Sequence, residues 1–213
     1  IAVMAMAQAG SLLYAPDVYM DKIAIGPGYP KGIVDLDAKP ADNINALAKA
    51  KGVRPQDIAA LIMDRPRHAK LIEEVIASLG IDPTLIEEVR KTGASIRLIT
   101  DGDVAGVIFT AMQHETNIDI YLGIGGAPEG VLAAAALRCV GGQMQGRLIL
   151  DTPEKVERAR TMGIHDPNKK YEMNELASGD VIVSATGVTD GGLLTGVRFG
   201  HGVIETETLV YRS

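Results

Sequence analysis

The stretch that decides the fold is YLGIGGAPEGVLAAAALRCVGG, Tyr121 to Gly142. Ile120 to Leu122 end an apolar strand. Gly123, Gly125 and Gly126 form an open turn, and an alanine-rich helix follows. Pro128 suits the first turn of that helix, because the N–H it lacks has no intrahelical partner to lose. Glu129 lies in the same turn, where the helix field favours a negative group. Outward from this unit, helices and strands alternate from about Lys39 to Gly146, which argues for α/β layers on a largely parallel sheet. KPADNINALAKAKG reads as a helix closed by Gly52, Ile58 to Met63 as a strand, RPRHAKLIEEVIASLG and IDPTLIEEVRKTG as helices, SIRLIT and QGRLIL as strands. LIEEV occurs at Leu71 to Val75 and at Leu85 to Val89, too few copies for a repeat architecture. TPEKVERARTMG reads as a charged connecting helix and KKYEMNELASG as a polar return. The first forty and last thirty residues are strand-rich: Ile1 to Met6, Ser11 to Tyr14, YMDKIAIG, IVDL, DVIVSATG and TLVYRS. They suggest an antiparallel region packed alongside. The expected division is 1–38 as the end of an N-terminal sheet region, 39–150 as the α/β binding region, and 151–213 as connector and final strands.

The 213 residues are 46% hydrophobic and 23% charged, enough for one substantial core. A net charge of -6 without a basic tract argues against nucleic acid as a partner. No Trp, two Phe and six Tyr leave little to stack bases on. No apolar run approaches the ~18 residues of a membrane span, so no membrane partner is expected. Cys139 is the only cysteine, which excludes a disulfide framework, and its place in the helix pattern reads as a buried inert thiol. The chain opens on IAVMAMAQAG, an apolar strand with no basic flank and no initiator Met. It reads as the tail of something longer, or as the ordered part of it.

Parallel α/β sheets place ligands at the C-terminal ends of their strands, and three such ends are chemically loaded. The first is DRPRH, Asp64 to His68. Pro66 stiffens the turn, while Arg65 and Arg67 offer guanidinium forks that match phosphate oxygens; the same pattern also fits a solvated helix entrance. His68 is better read as a cap or surface residue than as a base. The second is ITDGDVAG, where Asp101 and Asp103 bracket Gly102. Asp103 can cap the following helix, leaving Asp101 for sugar hydroxyls or a hard cation. The third is GIGGAPEG, which lacks both the Walker A ending and the dinucleotide spacing. Glycine-rich turns with free amides bind phosphate, yet Glu129 would repel a bare anion. A cation between them removes the conflict. Tyr19 can reach a phosphate or sugar oxygen, or be an ordinary half-buried Tyr. Thr186, Thr189 and Asp190 in SATGVTDGGLL read as structural caps before ligand contacts. With four histidines at 68, 114, 165 and 201, and no HxH or HExxH, a zinc centre is disfavoured.

APDVYMDK, DRPRH, ITDGDVAG, GIGGAPEG and SATGVTDG, in this order, resemble the class II (GlpX-type) fructose-1,6-bisphosphatases, among them enzymes that also act on sedoheptulose 1,7-bisphosphate. The likeness runs over essentially the whole chain. It implies the α/β/α/β/α layered fold of sugar phosphatases, shared with inositol monophosphatases. It also implies cytoplasmic hydrolysis of the 1-phosphate of fructose 1,6-bisphosphate, in gluconeogenesis or the Calvin cycle, with Mn²⁺ or Mg²⁺. A homo-oligomer, dimer or tetramer, is expected. By motif, Glu129 falls on the family's metal-ligand glutamate and is the expected catalytic position. Tyr19, Arg65, Pro66, Arg67, Asp101, Gly102, Asp103 and Gly126 fall on substrate-binding positions.

Three departures stand out. The family's other metal ligands lie in motifs of the DGxAV, GEGE and DPxEGT type, none of which is present. The stretch 76–89 looks longer than usual, and the connector 150–163 shorter. One carboxylate cannot assemble a two-metal site, so the 213 residues alone are expected to have negligible phosphatase activity. Two other classes stay open: a non-catalytic sugar-phosphate-binding module, and a structural fragment of a split enzyme.

Overall fold

A computed structural model describes residues 1–63 and 85–213. Eleven strands are found among them: β1 Ala2–Ala7, β2 Tyr19–Ile25, β3 Ala59–Met63, β4 Ser95–Ile99, β5 Ile120–Gly126, β6 Gln143–Ile149, β7 Lys170–Glu172, β8 Val181–Thr186, β9 Arg198–Gly200, β10 Val203–Glu205 and β11 Thr208–Arg212. The α-helices are α1 Pro40–Lys51, α2 Leu85–Lys91, α3 Asp103–Phe109, α4 Gln113–Thr116, α5 Ala127–Val140, α6 Pro153–Thr161 and α7 Met173–Leu176. The helix expected from Arg65 to Gly80 lies outside the described residues.

Six strands form the main sheet in the order β4-β3-β5-β2-β6-β7. β3 pairs in parallel with both β4 and β5, whereas β2 is antiparallel to β5 and to β6. Four strands therefore run one way, and β2 and β7 oppose them. The expectation of a largely parallel sheet holds for β4-β3-β5 and needs correcting at β2. This strand, from the first forty residues, inserts between β5 and β6, so neither pair is parallel in direct contact. α5 connects β5 to β6 across it, leaving exactly one strand's width to fill.

Alternate side chains of the sheet feed two cores. Ile23, Ile25, Ala60, Ile62, Ile120 and Leu122 face α1 and α2, with Ile44, Leu47 and Val89 against them. Met20, Ala24, Leu61 and Tyr121 face α3 and α5. A second sheet, β1-β8-β11, is fully antiparallel and packs on the far side of α5 through Val181 and Val183. Caught between two sheets, α5 is apolar on all sides through its middle, with Glu129 and Arg138 confined to its two ends. Ala133 to Ala136 are buried, because only small side chains let both sheets approach. The described layers are thus helix, sheet, helix, sheet. The outer face of the small sheet exposes Met4, Met6, Ile182 and Val210.

Two expected strands are absent. Ser11–Tyr14 makes one isolated bridge, Leu12 to Ala177. IVDL is a turn whose backbone is satisfied by distant side chains: Asp35 N–H donates to Asn43 Oδ1 at 2.8 Å, and Leu36 N–H to Gln145 Oε1 at 2.7 Å. The polar return conversely contains β7 and the short α7.

Candidate functional site

Both acidic helix entrances lie at the C-terminal edge of the main sheet, as the strand directions require. β5 runs without a break into α5, whose N-cap is Gly126, with Pro128 in the first turn. Glu129 is exposed there, and its carboxylate folds back over Gly126. A Cβ at 126 would stand 2.7 Å from Glu129 Cδ, so the glycine makes room for the acid. Tyr19, half-buried at the start of β2, pairs with Gly126 on one side and Ile149 on the other. Antiparallel register thus brings the expected tyrosine, glycine and glutamate to a single edge.

The second entrance follows β4. Gly102 has φ 81°, a left-handed conformation that glycine adopts without strain, and it turns the chain into α3. Exposed Asp101 accepts the Gly102 N–H at 2.9 Å. Asp103 is buried. Its Oδ1 accepts the Val104 N–H at 3.0 Å, and its Oδ2 takes the Lys22 ammonium. Lys22 also donates to the Gly126 carbonyl at 3.2 Å. The two entrances are therefore tied together through β2.

Lys22 was not evident as a site residue. In YMDKIAIG it carries no mark of its distant partner. Its phase, shared with Met20 and Ala24, was the available signal, since those positions face the core. Asp21 was also not singled out. It points to the opposite face beside Arg147, its register partner on β6. Asp21 is half-buried, and the loss of hydration pushes its carboxyl up to about 6. The Lys22 backbone N–H and the charges of Arg147 and Lys22 oppose that rise, and Asp37 adds to it. Nearby, Lys170 bridges Asp35 at 2.6 Å and Asp37 at 2.8 Å, holding both carboxyls below their usual range.

Arg65, Pro66, Arg67 and His68 lie outside the described residues; β3, from which they follow, ends at Met63 on the same edge. The SATGVTDG turn is occupied with its own fold. Asp190 Oδ1 accepts the Gly196 N–H at 2.8 Å, and Thr186 and Thr208 hydroxyls share a 2.9 Å bond. Cys139 is half-buried, its thiol pushed up by burial, which disfavours the reactive thiolate.

As for a divalent cation, Glu129 is a hard oxygen donor beside a turn suited to anions, and so fits one ligand position. Among the described residues, no three His, Cys, Asp or Glu side chains gather closely enough to hold a metal ion. Nor is any helix among them long and apolar enough to cross a membrane.

Comparison with known proteins is consistent across the chain. Residues 1–213 match the family model described as bacterial fructose-1,6-bisphosphatase, glpX-encoded. The chain is similar to a D-fructose 1,6-bisphosphatase class 2/sedoheptulose 1,7-bisphosphatase of Synechococcus sp. strain JA-3-3Ab, 42% identical over 227 aligned positions. A protein of the same description from a Synechocystis species is 41% identical over 227 positions. These alignments cover 100% of this chain but 60% and 61% of the relatives, so the chain spans about three fifths of their length. Motif order, mixed α/β architecture and a match over every residue lead to one conclusion: the chain belongs to the glpX-encoded bacterial fructose-1,6-bisphosphatase family.

Proposed function

We propose that this chain carries the strand-end part of a metal-dependent sugar-bisphosphatase site. The site hydrolyses the 1-phosphate of fructose 1,6-bisphosphate and also accepts sedoheptulose 1,7-bisphosphate. The observation that carries the reading is the meeting of Tyr19, Asp101, Gly126 and Glu129 at one edge of one sheet, two of them directly paired. The likeness to relatives named for both substrates supports it.

Each residue has a distinct task. Glu129 is one oxygen ligand to Mn²⁺ or Mg²⁺. The ion, when bound, supplies Lewis-acid polarisation of the phosphoryl group and the attacking water. In the first turn of α5 the Ala127 N–H is taken by the Val18 carbonyl and Pro128 has none, so the helix field, rather than a set of free amides, favours phosphate there. Asp101 accepts from sugar hydroxyls, and the Tyr19 phenol donates to a phosphate oxygen. Arg65 and Arg67 hold phosphate by bidentate forks, with Pro66 stiffening their turn. Water oxygen bonds to phosphorus as the bond to the sugar oxygen breaks, and that oxygen takes up a proton. Positioning and charge stabilisation therefore do most of the work.

The proposal extends to a cytoplasmic homo-oligomer, dimer or tetramer, which sedimentation separates from a monomer. Phosphate release from fructose 1,6-bisphosphate by the protein at its natural length tests the activity. Release that requires Mn²⁺ or Mg²⁺ and stops with chelator is expected; no release, or release indifferent to metal, contradicts the reading. The gathering of fewer than three potential ligands among the described residues favours a second statement. The 213 residues by themselves bind the sugar bisphosphate without turning it over, and full turnover by them alone would refute this.

A further inference from the structure

Lys22 is 1% exposed, on β2, one of the two central strands of the main sheet. Its stem runs beneath the first turn of α5, and its ammonium reaches two turns at once: the Asp103 carboxylate opening α3 and the Gly126 carbonyl opening α5. Space for this has been cleared by glycines. A Cβ on Gly125 would sit 2.7 Å from Lys22 Nζ and would also strike the Asp103 carboxylate. One on Gly130 would meet Met20 Sδ at 2.6 Å and Lys22 Cδ at 3.3 Å. Glycine within a strand or helix costs roughly 0.5–1 kcal/mol relative to alanine. A buried ion pair is itself rarely better for stability than apolar residues of the same shape. The chain thus gives up stability at Gly125, beside the ammonium, and at Gly130, beside its stem and Met20, to lodge one ammonium between two ligand-facing turns. Such local sacrifice is characteristic of functional sites.

We propose that Lys22 is a positioning residue that sets the sugar-facing turn at Asp101–Asp103 in register with the metal-facing turn at Gly126–Glu129. Both Asp103 oxygens are engaged within the protein, so Asp103 transmits this register; Asp101, exposed at the same turn, is the acid that the sugar-bisphosphatase reading assigns to the ligand. The inference rests on the sugar-bisphosphatase reading of the same edge. It adds a residue that touches neither substrate nor metal.

The test uses the protein at its natural length with Lys22→Met, Lys22→Arg and the neutral double variant Lys22→Met/Asp103→Asn. KM for fructose 1,6-bisphosphate is measured beside kcat per folded molecule. Loss of positioning raises KM by about 10- to 100-fold in Lys22→Met, as for other residues that orient a ligand from behind. Lys22→Arg, which keeps the cation, recovers part of that loss. The neutral double variant recovers the melting temperature but keeps the raised KM. A purely structural role lowers the folded fraction and leaves KM alone. A KM within about twofold of wild type in any folded variant lacking the ammonium overturns the proposal. So does failure of both ammonium-free variants to fold, since the pair is then a determinant of the fold only. Absence of turnover in the wild-type protein sinks the functional reading and this inference together. Normal wild-type turnover with unmoved KM sinks this inference alone.

Discussion

GIGGAPEG and ITDGDVAG share one grammar: a strand, glycines, an acid, then a helix. The structure uses them in opposite ways. In the first, the acid after the glycines, Glu129, stays exposed over Gly126. In the second, the acid after the glycine, Asp103, is buried against Lys22, and it is Asp101, before the glycine, that stays exposed. An acid at a helix start is therefore an ambiguous sign. The helix field accepts either one; what separates them is whether a cation reaches the acid from another element. Among the described residues, Lys22, 81 positions before Asp103, provides it for one entrance only.

Stability measurements can break this contrast, and the expected effects descend in order. Asp103→Ala leaves the Lys22 ammonium buried without its carboxylate and should cost about 3–5 kcal/mol, the usual penalty for breaking a buried pair. Urea unfolding would read it, and a loss within surface-mutation scatter would mean that the pair is not truly desolvated. Next comes Asp21, on the same strand but the opposite face. Its carboxyl is raised from 3.8 to about 6, so the folded state holds a proton that the unfolded chain has already lost. Stability attributable to this group falls as pH rises from about 4 to about 6, then stays level. Asp21→Asn should therefore be more stable than wild type at pH 7.5, by on the order of 2–3 kcal/mol, and equal to it near pH 4. Melting curves at the two pH values decide, and a gain that is the same at both would refute the assignment. Asp101→Asn should shift stability least, within about 0.5 kcal/mol, because its carboxylate is exposed. Its KM for fructose 1,6-bisphosphate should nonetheless rise; an unchanged KM would remove Asp101 from the sugar-facing turn.

Much of this arrangement was legible in sequence where the determinants are local. The strand-to-helix passage at β5 and α5 is written in Gly126, Pro128 and the alanines, and each acts on its immediate neighbours. Gly102 and Gly52 likewise mark turns through their own backbone geometry. The misreadings have distant causes. IVDL has the composition of a strand, but Asn43 and Gln145 take its amides and hold it as a turn. β2 looks like part of a separate antiparallel region until its register with β5 and β6 puts it in the centre of the main sheet. Apart from its phase on the strand, Lys22 carries no sign of its role in the sequence, because its partner belongs to a helix that packs across the same face from far along the chain. The candidate site residues come from motif order; Lys22, which reaches the turns behind them, is visible only once the strands are paired.

We assign the exposed acid of the pair, Glu129, to the chemistry and the buried one, Asp103, to its support. Metal-dependent phosphate release by Glu129→Gln, in the protein at its natural length, tests this most directly. A fall of about 100-fold or more with an unchanged melting temperature is expected. Wild-type turnover with an unaltered Mn²⁺ or Mg²⁺ dependence would contradict it.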